Sequence, residues 1–77
     1  MERATDKQCY YLNRLERKVL GIQATHPNLL AVSINNYDWF EERERGMTKE
    51  DADVRIKAYR QILRAAKAKM ILLGLKK

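Results

Sequence analysis

The side chains best suited to binding an anion lie in the last third of this 77-residue chain. From Val54 to Lys77 there are eight basic residues and no acidic residue. Several fixed cations on one helix face are what a protein needs to contact nucleic-acid phosphates. Four of the eight fall within about 80° of one another on an ideal helical wheel. These four, which the spacing predicts to form a basic ridge, are Lys57, Arg60, Arg64 and Lys67.

A second group of basic side chains, Arg14, Arg17 and Lys18, lies near the N-terminus, close to Tyr10. Residues 38–53, by contrast, hold seven acidic and three basic side chains, a net charge of −4, whereas the whole chain carries +6. An anionic partner would therefore meet the basic ends of the chain. We predict a small accessory protein whose basic groups bind nucleic acid through the backbone phosphates, with little base selectivity. The choice between DNA and RNA stays open.

The acidic middle of the chain and an aromatic cluster within it support an alternative function. The cluster consists of Tyr37, Trp39 and Phe40. Core packing is its expected role, and otherwise it forms the hot spot of an interface. The alternative is thus a protein–protein interaction module, such as an inhibitor or adaptor of a host enzyme. A third interpretation is association of residues 54–77 with a membrane surface.

A helix-turn-helix over residues 36–73 is disfavoured by charge. In that motif the N-terminal residues of the second helix contact base edges in the DNA groove. Here that helix would begin with Glu50, Asp51 and Asp53. Acidic side chains at that position would face the phosphates, so we do not expect sequence-specific recognition of this type.

Residues for catalysis or metal binding are sparse. His26 is the only histidine and Cys9 the only cysteine, which leaves no zinc set and no Cys–His pair at a fitting spacing. We expect no enzyme activity, no cofactor and no metal site. A lone cysteine fits a reducing compartment, and the opening residues lack the apolar segment of a secretory signal. The longest apolar runs, among them Leu29–Val32 and Met70–Leu73, have four residues each and are too short to span a membrane. We therefore predict a cytoplasmic protein.

Caps and periodicity predict a single all-α domain over residues 1–77, built from three helices. The helices are expected at about 6–20, 36–45 and 49–73. Thr5 begins the first with a capping box, and Thr48 caps the third. A glycine follows each helix and is expected to end it. The conformation of residues 22–35 stays open, because turn-forming residues and a short apolar run meet there.

The third helix carries an apolar seam three heptads long. Its members are Ala52, Ile56, Tyr59, Leu63, Ala66, Met70 and Leu73. We predict that this long C-terminal helix packs antiparallel to the N-terminal helix, with Leu63 central in the core. At about 1.5 Å per residue, the first helix covers little more than half of the third. The unmatched end near Met70 and Leu73 predicts self-association, most simply as a homodimer.

Two segments resemble a known family. Residues 4–15, ATDKQCYYLNRL, look like the T-x-K-Q-x-x-Y-L-x-x-L opening of a small helical domain of unknown function that occurs in bacterial and phage proteins. Thr48–Ile56, TKEDADVRI, is similar to the T-K-x-x-A-x-x-x-I start of that domain's second half. The resemblance implies two antiparallel helices and a bacterial or phage source, with the host cytoplasm as location if phage-encoded. It brings no established activity, and residues 22–46 depart from the pattern.

Overall fold

The computed structural model describes residues 2–30 and 33–74. They form three α-helices: α1 (Asp6–Thr25), α2 (Trp39–Glu44) and α3 (Lys49–Leu72), with a short 3-10 turn at Pro27–Leu29. The predicted all-α class is confirmed, since the described residues contain no strand beyond one isolated bridge between Arg3 and Thr48. Four residues that enter the predictions lie outside the described ranges. They are Ala31 and Val32 of the open segment and Lys76 and Lys77 of the basic stretch.

Local capping explains where the helices begin and end. The predicted capping boxes at Thr5 and Thr48 are both present. α1 nevertheless extends to Thr25 rather than stopping at residue 20, because one glycine inside a helix costs only about 1 kcal/mol. It ends where Pro27 disfavours helical geometry for the residue before it. α3 ends one residue before the predicted boundary.

The second helix is shorter than predicted. It spans Trp39–Glu44 instead of 36–45, because Asp38 rather than Asn35 or Asn36 is its N-cap. The Asp38 carboxylate accepts hydrogen bonds from the backbone N–H groups of the next turn, at 3.1 and 3.3 Å. Such a bond satisfies donors that the helix itself leaves free.

Two glycines that were both expected to end helices differ in conformation. Gly21 lies inside α1, whereas Gly46, after α2, has a φ of +116°. A Cβ at either position would meet no atom within 4 Å, so the two sites offer the same space for a side chain and differ in backbone conformation. We expect Gly46→Ala to lower the free energy of unfolding by about 1–2 kcal/mol and Gly21→Ala to raise it by about 0.5–1 kcal/mol. Urea denaturation of both variants tests this, and shifts of the same sign would contradict it.

α3 packs against α1 as predicted, but the two helices run in the same direction. The side chain of Gln8 donates to the carbonyl oxygen of Lys49 over 3.1 Å, and Glu16 lies beside Tyr59 in the middle of both helices. Contacts therefore advance together along the two helices. The predicted antiparallel orientation is wrong, because the long connection between the helices lets α3 begin beside the start of α1.

The chain between the helices returns along α1 and makes the parallel arrangement possible. We call residues 33–47 the return segment. The 23 residues from 26 to 48 are enough to run back along α1, which is about 30 Å long at 1.5 Å per residue. Hydrogen bonds and one ion pair join α1 and the residues before it to the return segment in antiparallel order. The joined pairs are Gln23–Ile34, Glu16–Tyr37, Cys9–Trp39, Asp6–Arg43 and Ala4–Met47.

The core lies where α1, α3 and the return segment meet. Leu12, Val19 and Cys9 are its largest fully buried side chains. The apolar seam of α3 contributes four buried residues, which are Ala52, Ile56, Tyr59 and Ala66. Leu63 packs against the core but is only partly buried, so its predicted central position is wrong. The seam also stops short of Leu73, which is 66% exposed.

The described helices have one further property in common. None of them combines the length and apolar character that crossing a bilayer requires.

Candidate nucleic-acid interface

A groove runs between α1 and α3, and we call it the basic groove. It contains two recesses of about 420 and 460 Å³. The lower recess is lined by Lys7, Gln8, Tyr10, Tyr11, Arg14 and Ile56. The upper recess is lined by Lys18, Gly21, Ile22, Thr25, Leu63, Lys67 and Met70. None of these residues belongs to the return segment, which covers a different side of α1 and leaves the groove open.

The parallel packing brings basic residues of both helices to this groove. Lys18 of α1 and Lys67 of α3 line the same upper recess, and Arg14 lines the lower one. Arg60 lies two helical turns before Lys67 on α3, so it continues that wall toward the start of the helix. The wall ends in a shallow site lined by Lys57, Arg60, Gln61 and Arg64. Three of the seven predicted phosphate-binding residues, Arg14, Lys18 and Lys67, thus line the groove, and three more, Lys57, Arg60 and Arg64, line the separate shallow site on α3.

The seventh, Arg17, lies elsewhere. It lines a recess on the other side of α1, together with Asn13, Glu16, Leu20, Asn36 and Tyr37. Residues 14, 17 and 18 are close enough in sequence to look like one group, yet a helix turns by about 100° per residue. The structure therefore separates Arg17 from Arg14 and Lys18.

The basic groove is free of acidic side chains in the part of the chain that the structure describes. No aspartate or glutamate lines either recess or the shallow site on α3. Lys57 pairs with Asp53 at the lower end, with 3.0 Å between Nζ and Oδ2. The other ion pairs among described residues lie away from the groove. They join Arg3 to Glu44, Arg43 to Asp6, Arg45 to Glu41 and Glu42, and Lys49 to Glu2.

These pairs have a consequence for the acidic middle. Four of its seven carboxylates have a basic partner, since Glu44 pairs with Arg3, Glu41 and Glu42 pair with Arg45, and Asp53 pairs with Lys57. Arg60, Arg64 and Lys67, by contrast, pair with no acid among the described residues, whereas Lys57 pairs with Asp53. Several of the described cations without an acidic partner therefore lie at the groove or at the shallow site on α3, although Arg17, Arg55 and Lys69 do not.

Trp39 belongs to the core rather than to an exposed cluster. Only 4% of it is exposed, and its ring meets that of Tyr59 edge to face at a centroid distance of 6.0 Å. Core packing, the expected role of this residue, is confirmed. Tyr37 remains 48% exposed at a centroid distance of 5.3 Å from Trp39. The aromatic cluster thus presents little continuous surface to a partner.

Glu16 is a buried carboxylate that we did not predict from the sequence. It is 3% exposed, and its Oε1 accepts hydrogen bonds from the backbone N–H of Tyr37 at 3.0 Å and from Trp39 Nε1 at 3.2 Å. The Tyr59 hydroxyl lies 3.5 Å from the same oxygen, longer than an ordinary O–H···O bond. Burial raises the pKa of Glu16 above its ordinary value, although the three donors partly oppose this. Its function is to join α1, α3 and the return segment.

The signal for Glu16 was present in the sequence. Cys9, Leu12, Glu16 and Val19 follow one another at spacings of three, four and three, which is the pattern of a core-facing helix side. Leu12, Leu15 and Val19 satisfy the helical periodicity with apolar residues only. A charged residue at a core position is rare unless it is hydrogen-bonded, so the polar member was not expected inside.

The single cysteine is poorly placed for nucleophilic chemistry. Cys9 is fully buried and its Sγ donates to the carbonyl oxygen of Trp39 over 3.6 Å. Burial raises the pKa of this thiol, which disfavours the nucleophilic thiolate. Within residues 2–30 and 33–74, no three side chains of His, Cys, Asp or Glu converge to hold a metal ion.

No family model, no curated protein and no solved structure matches this chain. The resemblance to the small bacterial and phage domain therefore stays a prediction. Functional inference depends on the geometry and charge of the basic groove.

Proposed function

We propose that this chain is a small accessory protein that binds nucleic acid through its backbone phosphates, using the basic groove. One observation carries the proposal: Lys18 and Lys67, from two different helices, line one recess in which no acidic residue takes part. Cations held on two rigid helices need little further ordering to meet phosphates. Their release of counterions from nucleic acid would supply the affinity.

The geometry supports contact with the backbone rather than reading of bases. The cations lie along the length of the groove and its α3 wall, as phosphates do along a strand. The start of α3, which would have to enter a DNA groove, carries Glu50, Asp51 and Asp53. We therefore propose little sequence selectivity, with Lys57, Arg60, Arg64 and Lys67 on α3 and Arg14 and Lys18 on α1 as the contacting residues.

The alternative, a protein–protein interaction module, has weaker support. It relied on the Trp39 cluster and the acidic middle, whereas Trp39 is buried and four of the seven acids of the middle pair with a basic side chain. The homodimer predicted from the sequence stays a prediction. The exposure of Ile71, Leu72 and Leu73 at the end of α3 supports it. The single thiol, Cys9, supports a reducing compartment such as the cytoplasm.

The proposal predicts a specific effect of charge reversal in the upper recess. Lys18→Glu/Lys67→Glu should weaken binding to unrelated DNA and RNA oligonucleotides alike, by at least about tenfold at low salt. It should also reduce the slope of log K against log salt concentration by roughly one unit for each phosphate that the variant no longer binds. Fluorescence anisotropy over a salt series measures both quantities.

A matched control is available because Arg17 and Lys69 are exposed and line neither recess of the groove. Arg17→Glu/Lys69→Glu changes the net charge by the same amount but should retain most of the affinity and the salt slope. The proposal would be wrong if the wild-type protein bound no oligonucleotide at low salt. Equal losses of affinity in the two variants would show that net charge alone, and not the groove, determines binding.

A further inference from the structure

The lower recess differs from the upper one by its aromatic side chains. Tyr10 is 65% exposed and Tyr11 is 39% exposed, and both line the recess. Lys7 and Arg14 lie one helical turn before and after them on α1, so each ring has a cation on either side. Neither tyrosine is among the buried residues of the core. Their exposure beside cations calls for an explanation in terms of a ligand.

The Tyr10 ring packs against a neighbouring element. The ring of Tyr10 meets Phe40 of α2 edge to face, with centroids 5.0 Å apart and planes at 74°. The guanidinium of Arg43 lies 5.2 Å from the centroid of that same Phe40 ring, and Arg43 is paired with Asp6. Tyr11 shares the recess with Ile56 of α3. A ring fixed in this way loses little side-chain entropy when a flat ligand stacks on it.

We propose that the lower recess stacks unpaired nucleotide bases on Tyr10 and Tyr11, so that the ligand of the basic groove is single-stranded nucleic acid. This inference rests on the proposed function. Proteins that bind single strands without reading their sequence combine cations and aromatic rings along one groove. In a duplex the bases are stacked on each other and unavailable to the tyrosines, so a duplex would engage the cations alone.

The test compares three ligands of roughly 15 nucleotides, a length within the range that small single-strand-binding sites occupy. They are a mixed-sequence single strand, an abasic strand with the same number of phosphates, and a duplex. The wild-type protein should bind the single strand at least about fivefold more tightly than the abasic strand, since stacking of one base is worth roughly 1–3 kcal/mol. Tyr10→Leu/Tyr11→Leu should remove this difference while leaving affinity for the abasic strand unchanged.

Tyr37→Leu is the matched control. Tyr37 is a half-exposed tyrosine like the other two, but it lines the recess on the opposite side of α1. This variant should retain the preference for the base-containing strand.

Equal binding of the single strand and the abasic strand by the wild-type protein would overturn the inference and leave the proposed function standing. Absence of binding to all three ligands at low salt would overturn both. The comparison of strands by the wild-type protein does not depend on how the variants fold.

Discussion

Replacing Leu12 by alanine is expected to lower the free energy of unfolding by about 3–4 kcal/mol. Leu12 is fully buried, at the centre of the contact between α1, α3 and the return segment. Its truncation removes apolar contacts and leaves a cavity that rigid helices on either side cannot close. In a 77-residue chain the core is small, so this change takes a large share of the total stability.

Chemical denaturation followed by circular dichroism measures the effect, and Leu72→Ala is the control. Leu72 is 84% exposed, so the same truncation there should change the free energy of unfolding by less than about 0.5 kcal/mol. Leu63→Ala should fall between the two, because Leu63 is only partly buried. Equal midpoints for Leu12→Ala and Leu72→Ala would contradict the assignment of Leu12 to the core.

The parts of the fold that were predictable from the sequence are those that depend on interactions between residues close together in the chain. Thr5 and Thr48 begin helices because their side chains accept from the backbone three residues later, a contact that the sequence alone specifies. The seam of α3 is likewise a property of one helix. Its buried members Ala52, Ile56 and Tyr59 could be identified without knowing their partners.

The direction of packing could not be predicted in this way. It depends on the return segment, whose path is fixed by single hydrogen bonds between residues distant in sequence, such as Gln23 with Ile34 and Glu16 with Tyr37. Such bonds leave no periodic pattern. Residues 33–38 of the segment have no regular secondary structure and bond to side chains of α1, so neither helix nor strand periodicity describes them.

One part of the candidate site was likewise predictable from the sequence, and another part was not. The ridge of Lys57, Arg60 and Arg64 was predictable, because it is a feature of one helix. The pairing of Lys18 with Lys67 was not, since it requires α1 and α3 to run in the same direction. An antiparallel pair would instead bring residue 18 toward the first half of α3. The groove is thus a product of the parallel orientation, which the helix periodicity did not predict.

Glu16 gives the second large effect on stability. Glu16→Leu fills the same space but leaves the donors of Tyr37, Trp39 and Tyr59 without their acceptor inside the protein. A buried donor left unpaired costs about 1–3 kcal/mol, and Trp39 Nε1 is the donor that is both buried and bonded at ordinary length, so we expect a decrease of about 1–3 kcal/mol in the free energy of unfolding. Chemical denaturation measures it, and a variant as stable as the wild type would show that these bonds contribute little.

Glu16→Gln separates the hydrogen bonds from the charge. The glutamine side-chain oxygen can accept from the same donors, while the cost of burying a carboxylate disappears. Because burial raises the folded-state pKa of Glu16 above its ordinary value of 4.5, the folded protein holds a proton that the unfolded chain has released. Wild-type stability should therefore fall as the pH rises from about 4.5 through the folded-state pKa, and then level off with respect to this group.

The glutamine variant should lack this pH-dependent loss of stability, because its side chain does not ionise. Its free energy of unfolding should exceed that of the wild type by a margin that grows with pH across the same window and is constant above it. Glu50→Gln removes a carboxylate from an exposed position in the first turn of α3 and serves as the control; its difference from the wild type should not show this rise. Parallel stability curves for Glu16→Gln and the wild type would mean that Glu16 ionises as readily in the folded protein as in the unfolded chain. The carboxylate that joins the three segments would then carry no penalty for its burial.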